Sequence, residues 1–359
     1  MVNDIVSRFE NSPHITIRLA WMKFDRFPEF RPHRLLRGGH RQTLAGAFLP
    51  WRKLAYSAVQ HRVELPDGDS LVLHDDCPAT WKPGQRIVLL MHGLAGCRLS
   101  PYMIRASHRL CEQGFRTFRL DLRGCGAGAG LARLPYHAGR SDDLSHVIQF
   151  LQTLCPQSPI CPVGYSLSGN VVLKFLGEFP ERVSPMVERA MVINPPIDLK
   201  GCVRELDRFS NRLYGRHFVR LLHRSLKELR QKIPDVSIPE SYCNPRGLYE
   251  FDDQYTALAA GFENADDYYA RCSAAQFVTN IEIPTLILTA RDDPLVPVSD
   301  FEKLRFPGSV VVHISEQGGH LGYIAKAGDD PDRRWMDWRI VDWMEATADD
   351  IPQACRTAK

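Results

Sequence analysis

Three residues that lie far apart in the chain, Ser166, Asp293 and His320, could together perform nucleophilic acyl chemistry. A serine hydroxyl at its ordinary pKa is a weak nucleophile, so it needs a nearby base and an anion that orients the base. A serine, then an acid, then a histidine is one of the chain orders in which such triads occur. We therefore take Ser166 as the candidate nucleophile, His320 as the base and Asp293 as the orienting acid.

The residues around Ser166 predict a sharp turn between a strand and a helix. An apolar run that ends at Gly164 predicts a buried strand, and residues 171–179 predict the helix behind the turn. Such a turn needs small residues two before and two after the serine, positions that Gly164 and Ser168 occupy. A Gly-x-Ser-x-small pattern is common by chance, and Ser168 is a second candidate hydroxyl. The register favours Ser166, because a glycine lies two residues before it.

The acid and the base are both predicted in turns that follow strands. Asp293 begins the turn Asp-Pro-Leu-Val-Pro after one apolar strand, and His320 lies in a glycine-rich loop after the next. Since the carboxyl ends of parallel strands meet at one edge of a sheet, we expect both side chains near Ser166. Asp292 is the alternative to Asp293, as the acid, as a solvated cap or as a neighbour that supports the site. We favour Asp293 because its carboxylate starts the turn.

Two backbone N–H groups are the predicted donors to an oxyanion. One belongs to Leu167, directly after the nucleophile, and the other to Leu94, in a glycine-rich loop after an earlier strand. His92 begins that loop. It follows a strand directly and precedes a glycine, so we interpret it as a side chain that braces the loop rather than as the base.

Composition and motifs argue against several other classes of protein. The 359 residues are 44% hydrophobic and 24% charged, which is typical of a globular protein, and the net charge of +3 is too small to predict nucleic-acid binding. Ten scattered cysteines without metal-ligand spacing indicate reduced thiols and a cytoplasmic location. Residues 124–129 fit a dinucleotide loop only superficially, because Pro135 delays the following helix. We predict no cofactor and no metal.

Apolar strands that alternate with amphipathic helices predict an α/β fold with a mostly parallel, doubly wound sheet. We expect residues 1–56 to form an arm packed on a core of residues 57–198 and 280–350. Residues 199–279 lack strand patterns and predict a helical cap insertion, in which residues 203–232 have a strongly helical pattern. Arginines recur every four residues along this segment. They predict a solvated face, with an anion site or membrane-surface contact as the alternative.

No local rule explains the polar cluster at residues 38–43. We expect it to form either a surface arm or a lining of the site. The longest apolar run, near residues 87–94, is shorter than the roughly 20 residues of a membrane-spanning helix, and no transmembrane segment is expected.

The chain resembles YheT-like members of the α/β-hydrolase superfamily. The resemblance depends on Gly39-His40-x-Gln42-Thr43, His92-Gly93-Leu94-x-Gly96, Arg123-Gly124-Cys125, Gly164-Tyr165-Ser166-Leu167-x-Gly169-Asn170, Asp292-Asp293-Pro294 and Gly318-Gly319-His320-x-Gly322. It implies an eight-stranded hydrolase core, a Ser–Asp–His triad and activity on carboxylic esters. Relatives include lipases and medium-chain acyl-ester synthases. Ser168 departs from the family, which usually has glycine there.

The residues and the resemblance together predict a serine esterase that acts on a short- to medium-chain acyl ester or lipid. Two alternatives remain: an acyltransferase that makes esters from an acyl donor and an alcohol, and a catalytically silent hydrolase fold that serves as a binding scaffold.

Overall fold

The structure is a computed structural model that describes residues 27–49, 58–347 and 349–351. Most of the predicted N-terminal arm, residues 1–26 and 50–56, lies outside the described residues. The described part of the arm contains helix α1 (Gly39–Phe48).

One eight-stranded sheet forms the centre of the described chain. Its strands are β1 (Val59–Glu64), β2 (Ser70–Asp76), β3 (Ile87–Met91), β4 (Arg116–Asp121), β5 (Ile160–Tyr165), β6 (Ala190–Ile193), β7 (Thr285–Ala290) and β8 (Val310–Ser315). The order across the sheet is β1-β2-β4-β3-β5-β6-β7-β8. Strand β2 runs in the direction opposite to the other seven strands, which are parallel to one another. The predicted α/β-hydrolase sheet is therefore confirmed, and its parallel strands end at one shared edge.

Side chains alternate between two hydrophobic cores because successive residues of a strand point to opposite faces of the sheet. In β3, Leu89 belongs to one core and Val88 to the other. Helices α2 (Pro101–Glu112) and α11 (Trp335–Glu345) cover one face, and α3 (Ser141–Leu154) and α4 (Leu167–Glu178) cover the other. Burial on both faces explains why the central strands are continuous apolar runs.

All regular secondary structure described between β6 and β7 is helical. Its helices are α5 (Leu199–Asp207), α6 (Arg212–Lys232), α7 (Leu248–Phe251), α8 (Ala257–Ala259) and α9 (Ala265–Cys272), with a π-helical turn at Asp252–Thr256 between α7 and α8. A short helix α10 (Ser299–Glu302) follows β7. Within the described ranges, no helix combines the length and the apolarity needed to cross a bilayer.

The helical pattern of residues 203–232 divides into two helices, because α5 ends at Asp207 and α6 begins at Arg212. Arg208 between them has an extended backbone, with ψ of 146°. The Asn211 side chain explains the break. Its Nδ2 donates to the Glu205 carbonyl at 2.9 Å and to the Pro294 carbonyl at 2.6 Å, so it caps α5 and fixes the connection against the loop after β7.

Candidate active site

Ser166 lies at a strained turn between β5 and α4. Its φ of 50° and ψ of −120° are unusual for a residue other than glycine, and such conformations cost about 1–3 kcal/mol each. A Cβ atom on Gly164 would lie 2.5 Å from the Ser168 carbonyl oxygen, so only glycine permits this close bend. The surrounding packing therefore maintains a conformation in which the Ser166 hydroxyl points away from the sheet, as in a nucleophile elbow.

The structure brings Ser166, His320 and Asp293 into one hydrogen-bonded chain. The Ser166 Oγ lies 2.9 Å from His320 Nε2, and His320 Nδ1 lies 2.9 Å from Asp293 Oδ2. His320 follows Gly319, whose φ of 57° turns the loop so that the imidazole reaches the serine. This arrangement can transfer a proton from the hydroxyl to the imidazole while the carboxylate stabilises the resulting imidazolium.

Both oxygens of Asp293 accept two hydrogen bonds. Oδ1 accepts from the N–H groups of Leu295 at 2.8 Å and Val296 at 3.1 Å, whereas Oδ2 accepts from Asn194 Nδ2 at 2.7 Å and from His320. These four donors fix the position and the orientation of the carboxylate.

Asp292 takes a different position and does not contact the imidazole. Its Oδ1 accepts from the Gly319 N–H at 2.8 Å, and its buried Oδ2 has no protein partner in the described chain. Burial raises the pKa of this carboxyl group above its usual value. The geometry therefore places Asp293 against the base and Asp292 beneath the loop that carries the base.

The predicted oxyanion donors lie beside the nucleophile. A Cβ atom on Gly93 would lie 3.1 Å from the Ser166 Cβ, so the loop of residues 92–96 packs directly against the turn at Ser166. We call this loop the oxyanion loop after its predicted role. Within the part of the chain that the structure describes, the N–H groups of Leu94 and Leu167 donate to no other protein group. Both remain available to bind an oxygen that becomes negative during acyl transfer.

His92 braces the oxyanion loop as a neutral side chain. Its Nε2 accepts from the Leu122 N–H at 3.2 Å, so the proton resides on Nδ1, which donates to the Gly93 carbonyl at 2.8 Å. Burial lowers the pKa of His92 and favours this neutral form. Ser168 adds a second brace, because its buried Oγ donates to the His92 carbonyl at 2.5 Å. The serine that replaces the usual glycine thus joins the elbow to the oxyanion loop.

The cluster at residues 38–43 supports the His320 loop from outside the sheet. The Gln42 side chain binds both backbone groups of Ile324, with Oε1 accepting at 2.7 Å and Nε2 donating at 3.1 Å. The Thr43 Oγ1 accepts from the His320 N–H at 2.9 Å and donates to the Gly39 carbonyl at 2.7 Å. Both side chains are buried. Helix α1 therefore supports the loop that carries His320, whereas the sequence predicted either a surface arm or a lining of the site.

Thr43→Val is expected to lower kcat about tenfold with little change in KM. Valine keeps the shape of threonine but leaves the buried His320 N–H without an acceptor, a loss of about 1–3 kcal/mol that loosens the loop. Thr43→Ser is the matched control and should retain near-normal kcat, because it keeps the hydroxyl. Equal losses in the two variants would show that packing at residue 43, and not its hydrogen bond, matters.

Asn194, which follows β6 and was not among the predicted site residues, connects Asp293 to the His320 loop. It has a φ of 46°, and its Nδ2 donates to Asp293 at 2.7 Å and to the Gly319 carbonyl at 3.3 Å. Asparagine tolerates this left-handed conformation better than most residues. An asparagine that ends a strand just before Pro195 was the available signal.

Asn194→Ala is expected to reduce kcat by about 10² because the acid and the His320 loop lose their shared support. Steady-state kinetics with a chromogenic ester measure the loss, and KM should change little because Asn194 does not line the pocket beside Ser166. A kcat that stays at the wild-type value would contradict this positioning role.

A mainly apolar pocket opens next to the Ser–His–Asp chain. Ser166, His320 and Leu94 contribute to its wall, and residues 199–279 contribute most of the rest. The apolar lining side chains from that segment include Leu199, Val203, Leu206, Phe218, Leu222, Leu226, Leu229, Phe251 and Tyr255. A pocket of this character suits an apolar chain. Among the described residues, no group of His, Cys, Asp or Glu side chains is arranged to hold a metal ion.

A family model described as alpha/beta hydrolase fold matches residues 86–327. This match spans more than half of the chain, and together with the sheet topology and the elbow it shows that the chain belongs to the α/β-hydrolase family. YheT of Escherichia coli (strain K12) is 31% identical over 327 residues, which cover 90% of this chain and 94% of that protein. The chain therefore belongs to the YheT-like members of this family, as the motifs predicted.

Other relatives share less of their length. The medium-chain fatty acid ethyl ester synthase/esterase 2 of Saccharomyces cerevisiae is 28% identical over 67% of this chain and 58% of that protein. Phospholipase ABHD3 of Mus musculus is 26% identical over 66% of this chain and 58% of that protein. Among solved structures, an esterase from Exiguobacterium antarcticum aligns with a TM-score of 0.52 and 14% identity, over 80% of this chain and all of the other. At this identity the structural likeness establishes the fold alone.

Proposed function

We propose that the protein is a serine carboxylic-ester hydrolase that acts through an acyl-enzyme on short- to medium-chain acyl esters or lipids. The observation that carries the proposal is the continuous chain of 2.9 Å contacts from the Ser166 hydroxyl through His320 to Asp293. The names of the relatives, which include an ethyl ester synthase/esterase and a phospholipase, support an ester substrate.

In the proposed reaction, Ser166 Oγ attacks the ester carbonyl carbon while His320 Nε2 takes the hydroxyl proton. The carbonyl oxygen becomes negative and binds the N–H groups of Leu94 and Leu167. Collapse of this intermediate breaks the bond to the alkoxy group, which leaves as an alcohol with the proton from His320. A water molecule then attacks the acyl-enzyme, with His320 as base, and releases the carboxylic acid and the free serine.

The division of the chain follows from the same proposal. We propose that the core of residues 57–198 and 280–350 supplies the catalytic groups, and that the described residues 27–49 of the arm pack on it. Residues 199–279 act as a cap whose apolar side chains hold the acyl group.

The described cysteines are all free thiols, which supports a cytoplasmic location.

Leu222→Trp is expected to lower the preference for long acyl chains about 50-fold, measured as kcat/KM for a decanoate ester relative to the acetate. Leu222 lines the pocket, and a larger ring there excludes on the order of three methylene groups, each worth about 0.8 kcal/mol. The acetate rate serves as the internal control and should change little. An unaltered chain-length profile would place the acyl group elsewhere.

A panel of p-nitrophenyl esters from acetate to palmitate tests the proposed activity. We expect saturable hydrolysis with an initial burst of nitrophenol wherever release of the acyl group is slower than its formation. If the protein hydrolysed none of these esters, the result would contradict the proposal and favour the binding-scaffold alternative.

Acyl transfer is the second candidate, favoured by the ethyl ester synthase/esterase among the relatives. It uses the same acyl-enzyme and requires only that an alcohol outcompete water. Product analysis with added ethanol separates the two reactions. Ethyl ester as the main product at low ethanol concentration would assign the protein to the transferases.

A further inference from the structure

The outer face of α6 carries a row of exposed cationic side chains without acidic partners. Arg212, Arg216, Arg220 and Arg224 are four residues apart and therefore form one ridge along the helix. Within the described residues, none of the four forms an ion pair, whereas Arg208 before the helix pairs with Glu205. We call these four arginines the basic ridge.

The opposite face of α6 forms part of the wall of the active-site pocket. Phe218, Leu222 and Leu226 point into the pocket that contains Ser166. A helix with its side chains is about 10 Å wide. The basic ridge thus lies one helix width from the space in which the acyl group would bind.

Exposed apolar side chains border the basic ridge where α6 begins. Phe209 is 90% exposed and Leu213 is 78% exposed. The contact of Asn211 with the Pro294 carbonyl, at 2.6 Å, holds this end of the helix at the edge of the sheet that carries the triad. We call Phe209 and Leu213 the apolar rim.

Helix α1 extends the same surface. The His40 ring stacks on Tyr214 of α6 with centroids 5.8 Å apart. Leu44 and Phe48 follow His40 at helical spacing and are 47% and 71% exposed. Two elements that meet at the active-site edge therefore both present large apolar side chains to solvent.

We propose that the basic ridge and the apolar rim dock the protein on a lipid surface that carries anionic phospholipids. Guanidinium groups recognise phosphate through charge and paired hydrogen bonds. Phenylalanine and leucine beside such a basic face enter the boundary between head groups and acyl chains. The docking depends only on these surface residues, whereas its role, which is to bring an ester in the lipid within one helix of Ser166, rests on the proposed function.

Other partners fit this surface less well. Nucleic acid or an acidic protein would match the arginines but would leave the phenylalanine and the leucine unused. A second copy of the chain would place one basic ridge near another, and like charges repel.

Vesicle co-sedimentation of the full-length protein tests the docking. The vesicles contain either phosphatidylcholine alone or equal parts of phosphatidylcholine and phosphatidylglycerol. We expect binding to the anionic vesicles that weakens as salt rises, since salt screens exposed charges. The variant R216E/R220E should lower the partition coefficient about 30-fold. F209S/L213S should lower it about tenfold.

K82E/R305E is the matched control. It makes the same change in net charge, but both exposed residues lie in loops before β3 and β8, at the other edge of the sheet. Its binding should stay within about twofold of the wild type. An equal loss in the control and in R216E/R220E would overturn the proposal, because net charge alone would then explain binding.

Hydrolysis of soluble p-nitrophenyl acetate separates failure of docking from failure of the proposed function. R216E/R220E and F209S/L213S should keep the wild-type kcat/KM, because none of the residues that they change contacts the triad. An inactive wild type that still binds vesicles in the expected pattern would overturn the esterase function and leave docking intact. An active wild type that ignores anionic lipid would overturn docking, as would retention on heparin without vesicle binding. A dimer abolished by F209S/L213S, without vesicle binding, would overturn it in favour of self-association.

Discussion

Ser166→Ala is expected to reduce kcat on p-nitrophenyl esters by on the order of 10⁶ because no other group can form the acyl-enzyme. His320→Ala should cause a loss of similar size. The double variant should be scarcely worse than either single one, since the two side chains act as a unit. Steady-state kinetics on the best ester of the panel, with folding checked by circular dichroism, measure these losses.

Ser168→Ala is the matched control for the serine. It removes the neighbouring hydroxyl, which donates to the His92 carbonyl and does not contact His320. We expect a reduction of about tenfold, from looser support of the oxyanion loop. A larger loss in Ser168→Ala than in Ser166→Ala would reverse the assignment of the nucleophile.

Asp293→Asn is expected to lower kcat by about 10⁴ while the protein stays folded. The new amide oxygen can still accept from the N–H groups of Leu295 and Val296, which leaves the amide nitrogen facing His320 Nδ1. That nitrogen donates and cannot accept, so the imidazole proton moves to Nε2. The nitrogen that faces the Ser166 hydroxyl then no longer accepts its proton.

Asp292→Asn tests whether any neighbouring carboxylate would serve. The two residues are adjacent in sequence, but Asp292 binds the Gly319 N–H rather than the imidazole. We expect at most a tenfold loss of kcat, because the amide oxygen can keep this contact. Comparable losses in the two variants would contradict the assignment of Asp293 as the orienting acid.

Sequence reasoning anticipated the fold and the meeting of the three side chains for the same physical reason. Parallel strands end at one edge of a sheet, so the turns that carry Asp293 and His320 lie beside Ser166 although they are 127 and 154 residues away from it in the chain. Local turn chemistry also separated Asp293 from Asp292, because the residue that starts the turn directs its carboxylate to the next N–H groups. The catalytic roles of these residues remain predictions.

The supporting contacts were beyond the reach of local patterns. Gln42 and Thr43 bind backbone groups 282 and 277 residues away, and no periodicity or motif links such distant partners. Asn194 was obscured because an apolar strand precedes it. The division between α5 and α6 was missed because Asn211 bonds to Pro294, a contact that forms only in the folded chain.

Labelling with a fluorophosphonate, followed by mass spectrometry of the modified peptide, tests the central claim most directly. The reagent forms a stable bond only with a serine that a neighbouring base activates. We predict one adduct per chain, on Ser166, that is absent in Ser166→Ala and forms far more slowly in His320→Ala. Absence of labelling in the wild type, or an adduct that persists in Ser166→Ala, would contradict the account.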